Sequence, residues 1–469
     1  MIDLKNVSFR YADSNHGVTN INLTIKAGEC VVLTGKSGCG KTTITRLVNG
    51  LAPKYYKGIK TGSIRIAGKD IETMPSYDIG RAVGSIFQDP QRQFFSSELE
   101  GEIAFGCENY GFAQFDIQKR TKDAIRKMRL ESIGSISLDL LSSGEKQRTA
   151  VASVYAMHPQ AFVFDEPTAN LDKDGIMQMK NILVELKKAG YALLIAEHRL
   201  SWMGELADRY LYMEGGRIQR AYCPSEFSTM DKRERISKGL RCVADIPSTK
   251  QAAPSLTDSI AIKGERISLK KNKKQILKDV DIFANENSIT AVTGSNGAGK
   301  TSLALILSGL EKSKEGNIYL HGEKAKHRKL RNHIYYCSND TGTQFFTESV
   351  SKELLLGTKC DVENLELAKN LLENMQLYDY KDSHPASLSG GQKQRLAVCC
   401  ALLSSKNILI LDEPTSGLDA ENMFLIAAAL KNAAKKGKTI LVITHDEEFM
   451  RACCEYRVNI DKIQSEKCL

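Results

Sequence analysis

The chain has 469 residues, of which 42% are hydrophobic and 26% are charged, and its formal net charge is +9. This composition is ordinary for a folded globular protein and excludes an intrinsically disordered chain. Because the sequence has no run of about 18 apolar residues and no apolar signal region near its start, we expect no membrane-spanning helix and a cytosolic location.

The 12 cysteines and the basic clusters do not by themselves indicate a special site. The cysteines are scattered and lack the spacing of zinc-binding motifs, which favours reduced and mostly buried thiols. Basic residues cluster at 270–274 and 324–331, where they could face anionic lipid or nucleic acid. No aromatic residues interleave with them, so a solvated surface is the favoured interpretation.

Short apolar runs in each half of the chain predict buried parallel strands. Each run is bounded by turn residues or by polar residues of candidate sites, and the first run of each half leads into a Gly-rich turn. The sequence therefore predicts an α/β fold with mostly parallel sheets, once in each half. In chain order the runs are 30–33, 162–164 and 193–196, followed by 289–292, 408–411 and 440–443.

Each half contains a phosphate-binding loop of the form G-x-x-x-x-G-K-T. Such a loop needs glycines so that backbone N–H groups converge on phosphate oxygens, and the following helix adds partial positive charge. We expect Lys41 and Lys300 to reach the β- and γ-phosphates, and Thr42 and Thr301 to place a hydroxyl on Mg²⁺. The candidate residues are Gly35, Lys36, Ser37, Gly38, Cys39, Gly40, Lys41, Thr42 and Thr43, and then Gly294, Ser295, Asn296, Gly297, Ala298, Gly299, Lys300, Thr301 and Ser302.

The later motifs have the same spacing in both halves, which indicates that one domain type has been duplicated. A Leu-Ser-x-Gly segment is followed by an apolar run ending in Asp-Glu-Pro-Thr, and then by a lone histidine. The interval from glycine to glutamate is 22 residues in both halves, and that from glutamate to histidine is 32. These intervals run from Gly144 through Glu166 to His198, and from Gly391 through Glu413 to His445.

The acid pair and the histidine of each half are candidates for the chemical step. A carboxylate at the end of a strand can hold the water shell of a metal ion, and the next carboxylate can orient or deprotonate an attacking water. A histidine at the matched position can contact the γ-phosphate. The candidates are Asp165 and Asp412 for the metal, Glu166 and Glu413 for the water, and His198 and His445 for the phosphate.

These motifs resemble those of ATP-binding-cassette (ABC) ATPases over nearly the whole chain. The resemblance implies two tandem P-loop NTPase domains that bind ATP and Mg²⁺. Each would have a RecA-like core, a helical subdomain and a small antiparallel β subdomain. We place the domains at residues 1–222 and 260–469, with a Pro-containing linker at 223–259.

The resemblance also implies that the domains pair head to tail as an intrachain pseudo-dimer. The signature loop of one domain would then complete the ATP site of the other. The signature candidates are Ser142 and Gly144 in the first half, and Ser389, Gly391 and Gln392 in the second.

Further positions match the family pattern. Tyr11 matches the aromatic residue that stacks on adenine, where a flat base meets a flat apolar partner. Gln88 matches the Q-loop position, which contacts the metal. Residues 170–172 and 417–419 match the D-loops.

Shorter segments are similar to the ATPases of energy-coupling factor (ECF) transporters, in particular the forms with two ATPases in one chain. They are residues 87–95, 103–106, 344–349 and the Tyr55-Tyr56 loop. This likeness implies a membrane importer for a small molecule such as a vitamin or a metal ion. The ATPase would lie on the cytoplasmic face of the membrane. Its partners would be a membrane subunit whose coupling helices dock near the Q-loops and a separate substrate-binding membrane subunit, with no nucleic acid.

Two other functions stay open at this point, and the aromatic pairs have an alternative structural interpretation. Tandem ABC-F ATPases act on ribosomes, but they carry a long, charged, helical linker that the join here lacks. A regulatory module could bind ATP without turnover, although both glutamates and both histidines are present. The aromatic pairs Phe94-Phe95 and Phe345-Phe346 could simply pack in the core.

The two sites are not predicted to be equal. The second half has Asn339 at the position of Gln88 and Lys271 at the position of Tyr11. The first signature, which would serve the second site, contains Glu145, whose carboxylate should be repelled by phosphate unless it turns away. We therefore expect the second site to bind ATP more weakly or to hydrolyse it more slowly.

Overall fold

The computed structural model describes residues 1–13, 16–134, 136–169, 171–241, 259–271, 274–359 and 361–466. The chain divides into two compact units, Met1–Cys242 and Val243–Leu469. In the part of the chain that is described, no helix has the length and apolar character needed to cross a membrane.

The first unit combines a largely parallel sheet, an antiparallel sheet and helices. Its described strands are β1 (Ile2–Tyr11), β2 (Gly17–Ile25), β3 (Cys30–Gly35), β4 (Gly58–Ile66), β5 (Lys69–Asp70), β6 (Val83–Ile86), β7 (Ala161–Asp165), β8 (Ala192–Ala196), β9 (Arg209–Glu214) and β10 (Arg217–Tyr222). Its described α-helices are α1 (Lys41–Val48), α2 (Leu51–Lys54), α3 (Ser76–Ala82), α4 (Leu99–Asn109), α5 (Gln114–Lys127), α6 (Ser143–Ala156), α7 (Lys173–Lys188), α8 (Pro224–Ser228) and α9 (Lys232–Ser237).

The central sheet of the first unit has the strand order β10-β9-β3-β8-β7-β6. Strand β3 pairs in parallel with β8 and β9, and β8 pairs in parallel with β7, whereas β10 is antiparallel to β9. The antiparallel sheet has the order β2-β1-β4-β5. The predicted strands at 30–33, 162–164 and 193–196 are confirmed as the buried centre of the parallel sheet.

Side chains of β3 alternate between two hydrophobic cores, because successive residues of a strand point to opposite faces. Cys30 and Val32 lie in the core that contains residues of α4, α5 and α6. Val31 and Leu33 lie in the core that the antiparallel sheet shares. Burial of each such aliphatic side chain contributes about 1.5–3 kcal/mol, so both layers hold β3 in place.

The second unit repeats this plan with a different ending. Its described strands are β11 (Ile260–Lys271), β12 (Lys274–Asn285), β13 (Ile289–Thr293), β14 (Glu315–Leu320), β15 (Glu323–Lys324), β16 (Ile334–Cys337), β17 (Ile408–Asp412), β18 (Thr439–Ile443) and β19 (Tyr456–Asn459). Its described α-helices are α10 (Lys300–Leu307), α11 (His327–His333), α12 (Val350–Leu355), α13 (Val362–Asn374), α14 (Gly390–Leu403), α15 (Ala420–Lys435), α16 (Glu447–Cys453) and α17 (Ile460–Glu466).

The parallel sheet of the second unit has the order β16-β17-β18-β13-β19, and the antiparallel sheet has the order β12-β11-β14-β15. The parallel order matches β6-β7-β8-β3-β9 of the first unit, which confirms the duplication. Where the first unit continues from β9 into the antiparallel strand β10, the second continues from β19 into helix α17. The predicted strands at 289–292, 408–411 and 440–443 are confirmed as β13, β17 and β18.

The first unit extends beyond residue 222, the boundary expected from the sequence. Helices α8 and α9 occupy the start of the expected linker, and the ring of Phe227 stacks on Tyr210 with centroids 4.2 Å apart. Met230 and Leu240 are buried in the same core as Tyr210. Residues 223–241 therefore pack on the first unit, and most of the remaining linker, residues 242–258, lies outside the described residues.

Candidate functional sites

The first phosphate-binding loop joins the end of β3 to the start of α1. Gly35 and Gly40 have φ angles of 144° and 105°, which L-amino acids rarely adopt. A Cβ atom on Gly40 would lie 2.6 Å from Cγ1 of Val18, so a side chain has no room there. Lys41 is buried, and its Nζ donates hydrogen bonds to the carbonyls of Gly35 at 2.9 Å and Lys36 at 3.1 Å.

The second loop, between β13 and α10, has the same construction. Gly294 and Gly299 have φ angles of 155° and 91°. Nζ of Lys300 donates to the carbonyls of Gly294 at 2.9 Å and Ser295 at 2.8 Å. In both units the loop lysine thus curls over its own loop. Phosphate oxygens could replace these carbonyls as acceptors.

The threonine at the start of each loop helix contacts the first acid at the end of the neighbouring strand. Thr42 donates to Asp165 with an Oγ1–Oδ1 distance of 3.2 Å, and Thr301 donates to Asp412 with an Oγ1–Oδ2 distance of 2.7 Å. A hydroxyl beside a carboxylate suits Mg²⁺, which prefers oxygen ligands and keeps several waters and phosphate oxygens. Among the described residues, no group of three or more His, Cys, Asp or Glu could hold a metal ion by itself.

Burial shapes the electrostatics of these acids. It raises the pKa of Asp165 to about 6, and the neighbouring carboxylate of Glu166 adds to the increase. Burial also raises the pKa of Asp412, while the hydroxyls of Thr301 and Tyr336 oppose the increase. A cation bound nearby would lower the pKa of both carboxyls and favour their ionised form.

The structure brings three predicted residues of the first unit together at Glu166. Nε2 of His198 lies 3.2 Å from Oε1 of Glu166, and Nε2 of Gln88 donates to Oε2 at 3.0 Å. Glu166 has a φ of 48°, in the left-handed region that a non-glycine residue adopts only at some cost in energy. An amide and an imidazole thus hold the carboxylate from two sides.

In the second unit Glu413 has nearly the same backbone angle, a φ of 47°, but different neighbours. Nε2 of His445 is 3.7 Å from Oε1 of Glu413, and the hydroxyl of Thr444 donates to Oε2 at 3.2 Å. Asn339 follows β16 by two residues, as Gln88 follows β6.

Tyr11 lies beside the first phosphate-binding loop. Its hydroxyl is 3.3 Å from Oγ1 of Thr43 and accepts a hydrogen bond from Arg46 at 3.0 Å. In the second unit, Nζ of Lys271 lies 2.8 Å from the carboxylate of Glu311. The ion pair draws the lysine toward Glu311.

Each signature segment begins a helix through a reciprocal capping arrangement. Ser142 precedes α6, and its backbone N–H donates to Oε2 of Glu145 at 2.8 Å while its Oγ accepts from the backbone of Glu145. Ser389 makes the same pair of bonds with Gln392 before α14. The carboxylate of Glu145 is therefore turned back onto its own helix cap. Repulsion of phosphate, which the sequence suggested, does not follow in this conformation.

The acidic ends of the D-loops also act as helix caps. Asp172 accepts a hydrogen bond from the backbone of Gly175 at 2.8 Å, and Asp419 accepts one from Asn422 at 2.9 Å. Asn170, which belongs to the first D-loop, lies outside the described residues.

Two side chains that the sequence did not predict lie near the second site. Tyr336 donates its hydroxyl to Oδ2 of Asp412 at 3.3 Å, at a position where the first unit has Ser85. Asp461, at the start of α17, accepts from the backbone of Ser295 at 2.6 Å and from its hydroxyl at 2.9 Å. A single tyrosine in a strand or a single aspartate at the start of a helix carries no recognisable signal, so only the packed structure reveals either contact.

Fold and site together define two P-loop nucleotide-binding domains in one chain. The profile of the family described as "ABC transporter" matches residues 18–169 and 277–416. A Treponema denticola protein provisionally named an ABC transporter ATP-binding protein is 38% identical over all of this chain and 97% of its own length. A Bacillus subtilis protein, YkoD, provisionally named an HMP/thiamine import ATP-binding protein, is 30% identical over 96% of this chain and 88% of its own length.

A solved structure supports the fold. The archaeal ribosome recycling factor aABCE1, crystallised with the ribosomal stalk protein aP1, matches with a TM-score of 0.65 over 97% of this chain and 87% of that one. At 20% identity this likeness shows the fold alone. From the sequence comparisons, the chain belongs to the ABC transporter family and is a tandem ATP-binding ATPase.

We expect the Mg²⁺–ATP affinity of the first unit to fall as the pH drops through about 6. Protonated Asp165 is neutral and attracts a cation less, so the affinity should decrease by about tenfold between about pH 7 and about pH 5. Nucleotide binding measured over this range in a Lys300→Ala background tests the first unit alone.

The control is Asp165→Asn in the same background. This variant should bind Mg²⁺–ATP weakly and should lose the part of the pH dependence that belongs to Asp165. An unchanged pH profile after this substitution would contradict the assignment.

Proposed function

We propose that this ATPase is the energy-supplying subunit of an ECF-type membrane importer that takes up a small molecule such as a vitamin or a metal ion. It would bind at the cytoplasmic face of the cell membrane through an integral-membrane subunit, and a separate membrane subunit would capture the substrate. The relative named for HMP/thiamine import, which aligns over 96% of this chain, supports import as the process.

The observation that carries the proposal is a pair of exposed phenylalanines at matched positions. Phe95 is 76% exposed and Phe346 is 80% exposed, and each lies seven residues after its Q-loop position. The preceding residues, Phe94 and Phe345, pack against the hydrophobic cores. In each pair, therefore, the first phenylalanine packs in the core and the second is exposed.

Buried glutamates hold both exposed phenylalanines in place. One oxygen of Glu102 accepts the backbone N–H groups of Phe95 and Ser96, at 2.8 and 2.9 Å. One oxygen of Glu353 does the same for Phe346 and Thr347, at 2.9 and 2.8 Å. An exposed apolar ring on a backbone fixed in this way is suited to contact a partner protein, and the arrangement occurs in both units.

Within each site we assign roles to the side chains. Lys41 and Lys300 would bind phosphate, while Glu166 and Glu413 would orient the attacking water. Mg²⁺, held near Thr42 and Asp165 or their counterparts Thr301 and Asp412, would neutralise charge on the phosphates. The completion of each ATP site by the other half's signature, Ser142 and Gly144 or Ser389, Gly391 and Gln392, is part of this proposal and comes from the family resemblance.

We also propose that the first site turns over faster than the second. Glu166 is held by Gln88 and by His198 at 3.2 Å, whereas Glu413 is held by Thr444 and lies farther from its histidine, at 3.7 Å. Lys271, paired with Glu311, provides no aromatic surface for adenine. Three residues of the second site depart from the family pattern. Asn339 and Lys271 remain as reasons for slower turnover, whereas Glu145 does not, because it faces its own helix cap.

The two glutamates provide a direct test of this difference in turnover. Glu166→Gln should remove more than about half of the steady-state ATPase activity, because a general base contributes about 10²–10⁴-fold in rate. Glu413→Gln should remove less. Equal losses in the two variants would argue against unequal sites.

The membrane partner can be tested through the exposed phenylalanines. We expect Phe95→Ala combined with Phe346→Ala to reduce copurification of the chain with an integral-membrane subunit by about tenfold, while the ATPase activity of the isolated chain stays unchanged. The measurement is recovery of the membrane subunit on tagged chain from detergent extracts.

The matched control is Phe115→Ala, because Phe115 is also 76% exposed but lies on α5. It should not affect recovery. Copurification with ribosomes in place of a membrane subunit, or equal loss with the Phe115 variant, would count against the proposal.

A further inference from the structure

Behind each catalytic glutamate, a buried threonine binds a buried carboxylate from the histidine segment. Thr168, two residues after Glu166, donates its hydroxyl to Oε2 of Glu197 at 2.6 Å. Thr415, two residues after Glu413, donates to Oδ2 of Asp446 at 2.8 Å. We refer to the pairs Thr168–Glu197 and Thr415–Asp446 as the threonine–carboxylate links.

The carboxylates of the two links come from opposite sides of the histidine. Glu197 precedes His198, and the residue after that histidine is Arg199. Asp446 follows His445, and the residue before that histidine is Thr444. The two units therefore form the same buried hydrogen bond with different residues at exchanged positions.

Each carboxylate also holds the backbone near its histidine. Oε1 of Glu197 accepts the backbone N–H groups of His198 at 2.8 Å and Arg199 at 3.1 Å. Oδ1 of Asp446 accepts the backbone N–H of Phe449 at 3.1 Å, at the start of α16. Each link thus connects the segment after the catalytic glutamate to the segment that carries the histidine.

The second unit adds a contact that reaches the glutamate itself. The hydroxyl of Thr444 accepts the backbone N–H of Asp446 at 3.0 Å and donates to Oε2 of Glu413 at 3.2 Å. Because the carboxylate of this unit comes after the histidine, the position before the histidine can hold Thr444, whose hydroxyl contacts the glutamate. In the first unit, Glu197 occupies that position and Gln88 makes the corresponding contact.

We propose that Glu197 and Asp446 are positioning residues for ATP hydrolysis, which hold the histidine at a fixed place relative to the catalytic glutamate. Because Thr168 and Thr415 are fully buried, their hydroxyls need an acceptor, and either side of the histidine can supply it. Loss of the acceptor also leaves backbone N–H groups unpaired, which loosens the segment. Displacement of a catalytic group by about 1 Å can reduce the rate by about 10²-fold.

The proposal rests on the proposed function, with Glu166 orienting the attacking water and His198 contacting the γ-phosphate, as expected from the sequence. Its readout, however, is ATP hydrolysis by the purified full-length chain and requires no membrane partner. Failure of the importer proposal would therefore leave the outcome unaffected.

The test exchanges the carboxylate across the histidine of the first unit. In a Glu413→Gln background, single-turnover hydrolysis reports the first unit. Glu197→Thr should slow hydrolysis by about tenfold or more, while the Kd for ATP changes by less than about twofold. Adding Arg199→Asp gives this unit the Thr-His-Asp order of the second unit and should restore at least about half of the lost rate.

Thr168→Val supplies the control because it removes the shared hydroxyl. In a Thr168→Val background, Arg199→Asp should not rescue Glu197→Thr. The mirror exchange, Thr444→Glu with Asp446→Arg in a Glu166→Gln background, should likewise retain more activity than Asp446→Arg alone.

Full activity of Glu197→Thr would overturn the proposal, and so would a double variant that is no faster than the single variant or fails to bind ATP. Rescue that persists without the hydroxyl of Thr168 would also overturn it. A loss of ATP affinity equal to the loss of rate would indicate a general structural role and would likewise count against it.

Discussion

The parallel pairing of β8 with both β3 and β7 brings the chemical groups of the first unit to one place. Leu33 and Asp165 are both in register with Ala196. The phosphate-binding loop, the acid pair and the histidine therefore leave the carboxyl ends of three adjacent strands at one edge of the sheet. In the second unit Val292 and Asp412 are both in register with Ile443, with the same consequence. Residues more than about 100 positions apart in sequence meet because the ladder aligns the strand ends.

The same register accounts for the unusual backbone of the glutamate in each acid pair. The backbone N–H of Glu166 donates to the carbonyl of Ala196, and that of Glu413 donates to the carbonyl of Ile443, each at 2.9 Å. Each bond continues the sheet by one residue, and the chain then turns through a left-handed conformation. This conformation costs of order 1–3 kcal/mol, which the surrounding sheet offsets. It directs the glutamate side chain toward the histidine.

The duplicated units keep this frame and differ in the side chains around it. Gln88 holds the first glutamate, whereas Thr444 holds the second. The aspartate of the acid pair bonds to Thr42 in the first unit, whereas in the second unit it bonds to both Thr301 and Tyr336. Since the backbone geometry is shared, unequal function of the two sites would come from side chains such as these and Lys271.

The sequence alone determined the parallel strands, the glycine-rich loops, the acid pairs, the histidines and the duplication. These features are local in sequence, because a loop needs glycine at set positions and a buried strand needs a short apolar run. Only the tertiary structure decided that Glu145 turns onto its own cap, that residues 223–241 pack on the first unit and that Asp461 contacts Ser295. It also decided that Thr168 and Thr415 take their carboxylates from opposite sides of the histidine. Such contacts depend on the direction in which a side chain leaves one element and on what a distant element places beside it, and neither is written in residue type or spacing.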